Sequence, residues 1–293
     1  MKPAPFDYAA PARLEEAVEL IARHGSEARP LAGGQSLVPL LNFRLARPSL
    51  VVDLNRIQNL AYHRATDGAL VVGALCRQRD LELDPEVMRR CGAIADALPL
   101  IGHVAIRNRG TVVGSLAHAD PAAEWPALAL LLDATIRVAG PEGEREVAAG
   151  DFFTGVFATD LRPGELAVEA TFPWPRPGAG TAFVEVARRH GDFALVAAGA
   201  LVELSPERTV KEARVVLSGV GPTPMRATTA ERALQGQPAT EETIGVAATV
   251  AGDGLQPADD IHAPAAYRRQ VARALVKRAL LRALERANGD RRR

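Results

Sequence analysis

The chain has 293 residues, 47% hydrophobic and 24% charged, and its 35 basic and 35 acidic side chains cancel. That length suffices for two domains, and 25 Gly, 21 Pro and 4% aromatics in an otherwise ordinary mix describe a loop-rich globular protein, excluding a disordered or collagenous one. The longest apolar runs, Leu128–Leu132 and Ala194–Val202, fall short of the roughly 20 residues of a bilayer span, and the first ten residues lack the regions of a secretory signal, so a cytoplasmic protein is expected.

In chain order, Leu14, Ala17, Val18 and Ile21 share one helical face, with Gly25 placed to stop the helix. A short apolar segment, Pro30-Leu31-Ala32, runs into Gly33-Gly34-Gln35-Ser36; Leu37–Leu45 then begins as helix and is expected to break at Pro39. Leu50–Leu54 reads as a β-branched strand. This is an α/β start, a small sheet with a covering helix. A strand at Leu70–Leu75, a helix over about Pro85–Leu98, a glycine-bearing stretch from Gly102 to Ser115, two strands near Thr135–Val147 and a strand at Leu166–Phe172 follow. Pro173–Gly180, with its prolines and glycines, continues no ladder and marks a domain boundary. Beyond it, Thr181–Val186, Leu195–Leu204 and Ala213–Ser218 read as an antiparallel sheet, with helices near Thr229–Leu234, Glu241–Val250 and Ala265–Ala287.

Lys2, Lys211 and Lys277 are the only lysines, so positive charge is nearly all arginine. Arg268, Arg269, Arg273, Lys277, Arg278, Arg282, Arg286 and Arg291–Arg293 line the last predicted helix or its tail. With no net positive domain and no base-reading motif, this reads as a solvated helix face rather than a nucleic-acid surface.

Missing motifs narrow the chemistry. Cys76 and Cys91 are the only cysteines, against the four thiolates of an iron–sulfur cluster, so this chain cannot hold one alone. There is no C-x-x-C, H-E-x-x-H or G-x-S-x-G, and no lysine follows a glycine as a P-loop requires. Gly219-Val220-Gly221-Pro222-Thr223-Pro224 has proline where a dinucleotide fingerprint needs its third glycine.

Two loops point to chemistry. In Ala32-Gly33-Gly34-Gln35-Ser36, adjacent glycines leave a strand end bare, so backbone N–H groups can converge on an anion, with the Ser36 hydroxyl beside them. A plain tight turn is the alternative. Thr111-Val112-Val113-Gly114-Ser115 is a second hydroxyl-and-glycine loop. After it, His118 and Asp120 lack a third ligand nearby, so no metal is assigned. Asp120 and Glu124 read either as an acid/base pair or as the two ends of a capping box on a helix starting at Pro121.

The strings A-G-G-Q-S (Ala32–Ser36), I-R-N-R-G-T (Ile106–Thr111), S-L-A-H-A-D-P-A-A-E (Ser115–Glu124) and R-R-H-G-D-F-A (Arg188–Ala194) resemble the FAD-binding medium subunit of molybdenum hydroxylases, in its carbon-monoxide-dehydrogenase branch, related to the xanthine dehydrogenase flavin domain. The resemblance spans nearly the whole chain. It implies an α+β protein: an FAD-binding domain over 1–175, in two α/β subdomains of about 1–58 and 59–175, then a C-terminal domain of antiparallel sheet plus helical bundle over 181–290. It implies that Ala32–Ser36 with Leu37, and Thr111–Ser115, hold the FAD pyrophosphate and adjoining sugar. It further implies that Leu31, Ile101, His118, Glu124 and Leu161 line the cofactor, and that Arg189, Asp192 and Phe193 approach the isoalloxazine ring, Phe193 reading equally as core. No catalytic residue is implied on this chain. A molybdenum-cofactor large subunit and a small subunit with two [2Fe–2S] clusters are the implied partners, as a dimer of heterotrimers. A stand-alone flavin oxidoreductase, with His103 or His190 as proton donor, and a flavin-free scaffold are the rival readings. One departure stands out: Val113 replaces the first of two glycines usual in the family loop, and valine is strained at positive φ.

Overall fold

A computed structural model of the chain describes residues 2–289. Asp290, at the end of the expected C-terminal domain, and the Arg291–Arg293 tail lie outside the described residues.

Strand β1 (Asp7–Ala9), helix α1 (Leu14–His24), strand β2 (Ala28–Leu31), helix α2 (Leu37–Asn42) and strand β3 (Leu50–Asp53) make the first layer, a parallel sheet in the order β1-β3-β2. Helix α1 buries Ala17, Val18 and Ile21 and ends at Gly25, whose φ of +52° suits glycine. Pro39 does not break α2, contrary to expectation. It lies in the first turn, where a backbone N–H has no partner within the helix to lose.

A second, antiparallel sheet opens with β4 (His63–Ala65) and β5 (Ala69–Gly73). Six short helices follow: α3 (Gln78–Leu83), α4 (Pro85–Arg90), α5 (Gly92–Ala97), α6 (Val104–Arg107), α7 (Val112–His118) and α8 (Glu124–Leu131). Then come β6 (Thr135–Gly140), β7 (Gly143–Ala148), α9 (Ala149–Phe152), the small ribbon β8 (Phe153–Gly155) and β9 (Ala158–Thr159), and β10 (Leu166–Pro173), which enters the centre of the order β4-β5-β10-β6-β7.

The single helix expected over Pro85–Leu98 is two, parted at Cys91, whose backbone is extended (φ −134°, ψ 104°). The cause lies far away in sequence. Thr181 caps the second piece, its Oγ1 accepting from the Ala93 N–H at 3.0 Å, and a Cβ on Gly92 would sit 2.6 Å from the Thr181 carbonyl oxygen.

Beyond Pro173–Gly180 the chain forms β11 (Gly180–Val186), β12 (Val196–Leu204), β13 (Val210–Ser218) and β14 (Met225–Arg226), a four-stranded antiparallel sheet, followed by α10 (Thr228–Leu234), α11 (Glu241–Ala251) and α12 (Ala265–Ala287). Side chains alternate across a strand. Phe183, Ala197, Leu201 and Val216 therefore join the core shared with α8, whereas Ala182, Ala198, Val215 and Leu217 join a second core under α10, α11 and α12. Helix α8 is buried on every side, which explains its apolar run.

The last helix is only in part the solvated basic face the sequence suggested: Arg273, Lys277 and Arg282 keep 45%, 42% and 48% of their side chains exposed. Arg268 is 7% exposed, donating to the Leu195 and Gly219 carbonyls and pairing with Asp260. Arg286 and Arg282 both reach Asp96 on α5, and Arg273 and Lys277 pair with Asp253 and Glu241. No helix among the described residues is long and apolar enough to cross a membrane.

Candidate functional site

The Ala32–Ser36 loop leaves the C-terminal end of β2, where a parallel sheet offers a crevice for ligands. Gly34 takes φ +74°, which a side chain would strain. Gly33 is constrained differently: a Cβ there would lie 2.4 Å from the Arg109 carbonyl oxygen and 2.8 Å from the Gly110 Cα. Backbone thus packs directly on backbone between the two glycine stretches. The Gln35 side-chain amide donates to the Gly33 carbonyl at 3.0 Å, while Ser36 stands at the start of α2 with no capping bond from its side chain, leaving that hydroxyl uncommitted.

The second stretch is not a loop. Thr111 is the N-cap of α7, its Oγ1 accepting from the Gly114 N–H at 3.1 Å, and residues 112–118 are helical. Val113 accordingly sits in a right-handed first turn, 1% exposed in the core and absent from the positive-φ residues, so the strain its β-branch would suffer does not arise. Val112 and Val113 bury their side chains and present only backbone, whereas Ser115 and His118 are half-buried. A Cβ on Gly114 would lie 2.5 Å from Thr111 Oγ1 and 3.9 Å from the Ala32 Cβ, so the helix start and the first loop are neighbours.

Residues that sequence reasoning passed over hold these backbones in place. Arg77 donates to the Arg109 carbonyl (2.7 Å) and to Asn55 Oδ1 (2.5 Å), and Asn55 in turn donates to the Ala32 carbonyl (2.9 Å). One guanidinium therefore ties both stretches together, the planar fork that lysine lacks. Burial and the nearby Arg109 lower its pKa. Arg107, 5% exposed, meets Glu82 through two nitrogens at 2.8 and 2.9 Å and donates to the Ile101 carbonyl at 2.9 Å, fixing the turn before α6. Arg107 lies within the quoted I-R-N-R-G-T string, which was the available signal; nothing local in sequence marks Arg77 or Asn55.

Farther along, the His118 ring lies 5.0 Å from the Phe157 ring, and burial lowers the His118 pKa. Ile101 is 8% exposed, and Leu161 is partly buried against the core. Asp120 accepts from the Ala122 N–H, closing a turn, and the helix expected to start at Pro121 begins at Glu124 instead. The capping box is therefore not formed. Glu124 is 4% exposed, and burial together with Glu185 and Asp120 pushes its carboxyl up to about 8.

The C-terminal domain closes the site from the other side. The loop after β11 brings Gly191, at φ +86°, to where a Cβ would stand 2.7 Å from His103 Cε1, and the His103 and His190 rings are 6.3 Å apart. Asp192 and Phe193 are exposed on this loop, Phe193 at 56%, which removes the core reading for its ring. A carboxyl oxygen of Glu185 and the Gln78 Oε1, beside Gly110, are buried with no hydrogen-bond partner. Bare backbone at two glycines, an uncommitted hydroxyl and orphaned buried acceptors fit an extended, phosphate- and hydroxyl-bearing ligand such as FAD.

Comparison with known proteins agrees. The family described as "FAD binding domain in molybdopterin dehydrogenase" matches residues 4–175, and "CO dehydrogenase flavoprotein C-terminal domain" matches 181–283. The chain is 42% identical to the 6-hydroxypseudooxynicotine dehydrogenase complex subunit alpha of Paenarthrobacter nicotinovorans, over 98% of this chain and 97% of that one. It is 38% identical to the carbon monoxide dehydrogenase medium chain of Hydrogenophaga pseudoflava, over 96% and 97%. Among solved structures, carbon monoxide dehydrogenase from H. pseudoflava superimposes with a TM-score of 0.94 at 38% identity (98% of this chain, 99% of that one), and quinoline 2-oxidoreductase from Pseudomonas putida 86 with 0.92 at 40% (98% and 99%). The chain belongs to the FAD-binding medium subunits of the molybdenum hydroxylases, oxidoreductases of the carbon monoxide dehydrogenase kind.

Proposed function

We propose that this chain is the electron-transfer subunit of a heterotrimeric molybdenum hydroxylase, receiving electrons from a [2Fe–2S] cluster of a small partner and delivering them to an external acceptor. Bound FAD supplies the redox chemistry, accepting and releasing electrons singly or in pairs. The protein's part is to hold and screen it. Ala32–Ser36 and Leu37, with Thr111–Ser115, bind the pyrophosphate and adjoining sugar through backbone N–H groups and the Ser36 and Ser115 hydroxyls. Leu31, Ile101, His118, Glu124 and Leu161 line the cofactor, and Asp192 and Phe193 approach its ring from the C-terminal domain.

The observation that carries the reading is the direct backbone packing of Gly33 on Arg109 and Gly110, which brings two bare stretches into one cradle. The whole sequence contains two cysteines, so clusters must come from another polypeptide. A molybdenum-cofactor large subunit and a [2Fe–2S] small subunit, in a cytoplasmic dimer of heterotrimers, complete the assembly. Isolation through a tag on this chain tests it: molybdenum and iron are expected to co-purify, and a chain that brings down neither metal refutes the partnership.

A further inference from the structure

Five non-glycine residues among those described take positive φ, and two of them are hydrogen-bonded to each other. Ala119 (φ +52°, ψ 40°) closes α7 in the left-handed conformation, and its carbonyl accepts from the N–H of Phe157 (φ +54°) at 3.2 Å. Phe157 is the second residue of Val156-Phe157, the two-residue turn that joins β8 to β9. Turns with positive φ at that place give it to glycine or asparagine, and a bulky side chain there is a backbone outlier. The base of the ribbon is secured elsewhere. Phe152 is fully buried and Phe153 packs on the core, their rings edge to face at 5.3 Å, whereas Val156 and Phe157 at the tip are 54% and 58% exposed.

The Phe157 ring rests on His118, 5.0 Å between centroids with 31° between the planes. His118 follows Ser115 by three residues on α7, so the two share one face of that helix, and both are half-buried. The ribbon tip thus covers the end of the face that presents the Ser115 hydroxyl. Glycine at 157 would form the same turn at no steric cost, so the turn alone does not account for the ring. Strained backbone of this kind gathers at binding sites, where the surroundings hold it.

We propose that Phe157 is a positioning residue of the flavin site: its ring fixes the His118 imidazole on the α7 face beside Ser115 and walls this end of the groove when FAD is bound. The inference rests on the cofactor assignment above. Phe157 acts through His118, and a ring that only completed the turn would leave FAD affinity untouched when removed.

Phe157→Gly separates the two roles, since glycine accepts the positive φ and removes the ring. Flavin fluorescence quenching of the flavin-free full chain titrated with FAD gives Kd, and thermal unfolding of the same chain gives Tm. Kd is expected to rise about 2- to 12-fold, the span of one aromatic contact, while Tm holds or rises by a few degrees as the turn relaxes. Phe157→Tyr keeps the ring and is expected to keep the wild-type Kd. In a His118→Ala chain, Phe157→Gly is expected to leave Kd where His118→Ala alone puts it, because the partner ring is gone. An unchanged Kd in Phe157→Gly, a Tm lower by more than a few degrees, or the same effect of Phe157→Gly with and without His118 overturns the inference and leaves the cofactor assignment standing. A wild-type chain that quenches no flavin overturns both.

Discussion

Replacing Gly33 by alanine adds one methyl group at the closest contact of the cradle. Its Cβ would meet the Arg109 carbonyl oxygen at 2.4 Å, the Gly110 Cα at 2.8 Å and the Arg109 carbonyl carbon at 3.0 Å. These distances are about 1 Å short of ordinary van der Waals contact. All three atoms are backbone, and Arg77 pins the Arg109 carbonyl while Asn55 pins Ala32, so no side chain can swing aside. The two stretches must part. Overpacking of this kind costs about 1–3 kcal/mol, and moving backbone donors by about 1 Å weakens one or two ligand hydrogen bonds worth roughly 1 kcal/mol each. FAD affinity is therefore expected to fall about 5- to 30-fold, with Tm lower by a few degrees from the overpacking. Flavin fluorescence quenching and thermal unfolding measure both, and Gly68→Ala, where a Cβ meets nothing within 4 Å, is the control. A Gly33→Ala chain that binds FAD within twofold of wild type would show that the contact between the stretches does not shape the site.

Three further outcomes follow from burial and charge. Burial pushes the Glu124 carboxyl from its ordinary 4.5 up to about 8, so its favourable contribution is complete below pH 4.5 and fades as pH rises through 8. Flavin-free wild type should thus lose stability relative to Glu124→Gln between pH 5 and 9; a difference in Tm that stays constant with pH contradicts this. Arg107→Met leaves the Ile101 carbonyl without its buried partner and Glu82 with Arg79 alone, so the loss is expected at or below the low end of the about 3–5 kcal/mol that breaking a buried pair costs. Urea denaturation should show a loss of that order, and a loss below about 1 kcal/mol would mean that solvent replaces the guanidinium. Cys76 is 2% exposed and burial pushes its thiol up to about 12, while Cys91 is fully buried and also raised. Neither should react with a thiol reagent at pH 8 without denaturant, and labelling within minutes would contradict the packing.

Elements whose signal is local were legible in the sequence. The alternating β11 to β13 run and α1, α11 and α12 lie within a residue or two of their expected spans, apart from β13, which begins at Val210. Where partners distant in sequence decide the backbone, the reading fell short. Thr181 and Arg286 split the helix at Cys91, and Asp96 pairs with both Arg282 and Arg286 of α12. The Thr111–Ser115 segment was read as a loop because Thr and Gly favour turns, yet the same threonine is an N-cap. The two glycine stretches that the structure packs together were singled out from their residues. Arg77 and Asn55 were not, since each depends on a contact between residues 22 or more apart.

The flavin content of the assembly isolated through a tag on this chain tests the central claim most directly. The account predicts one FAD per copy of the chain, released as the intact dinucleotide on denaturation. An assembly that carries molybdenum and iron but no flavin, and that takes up none when supplied with FAD, would contradict it.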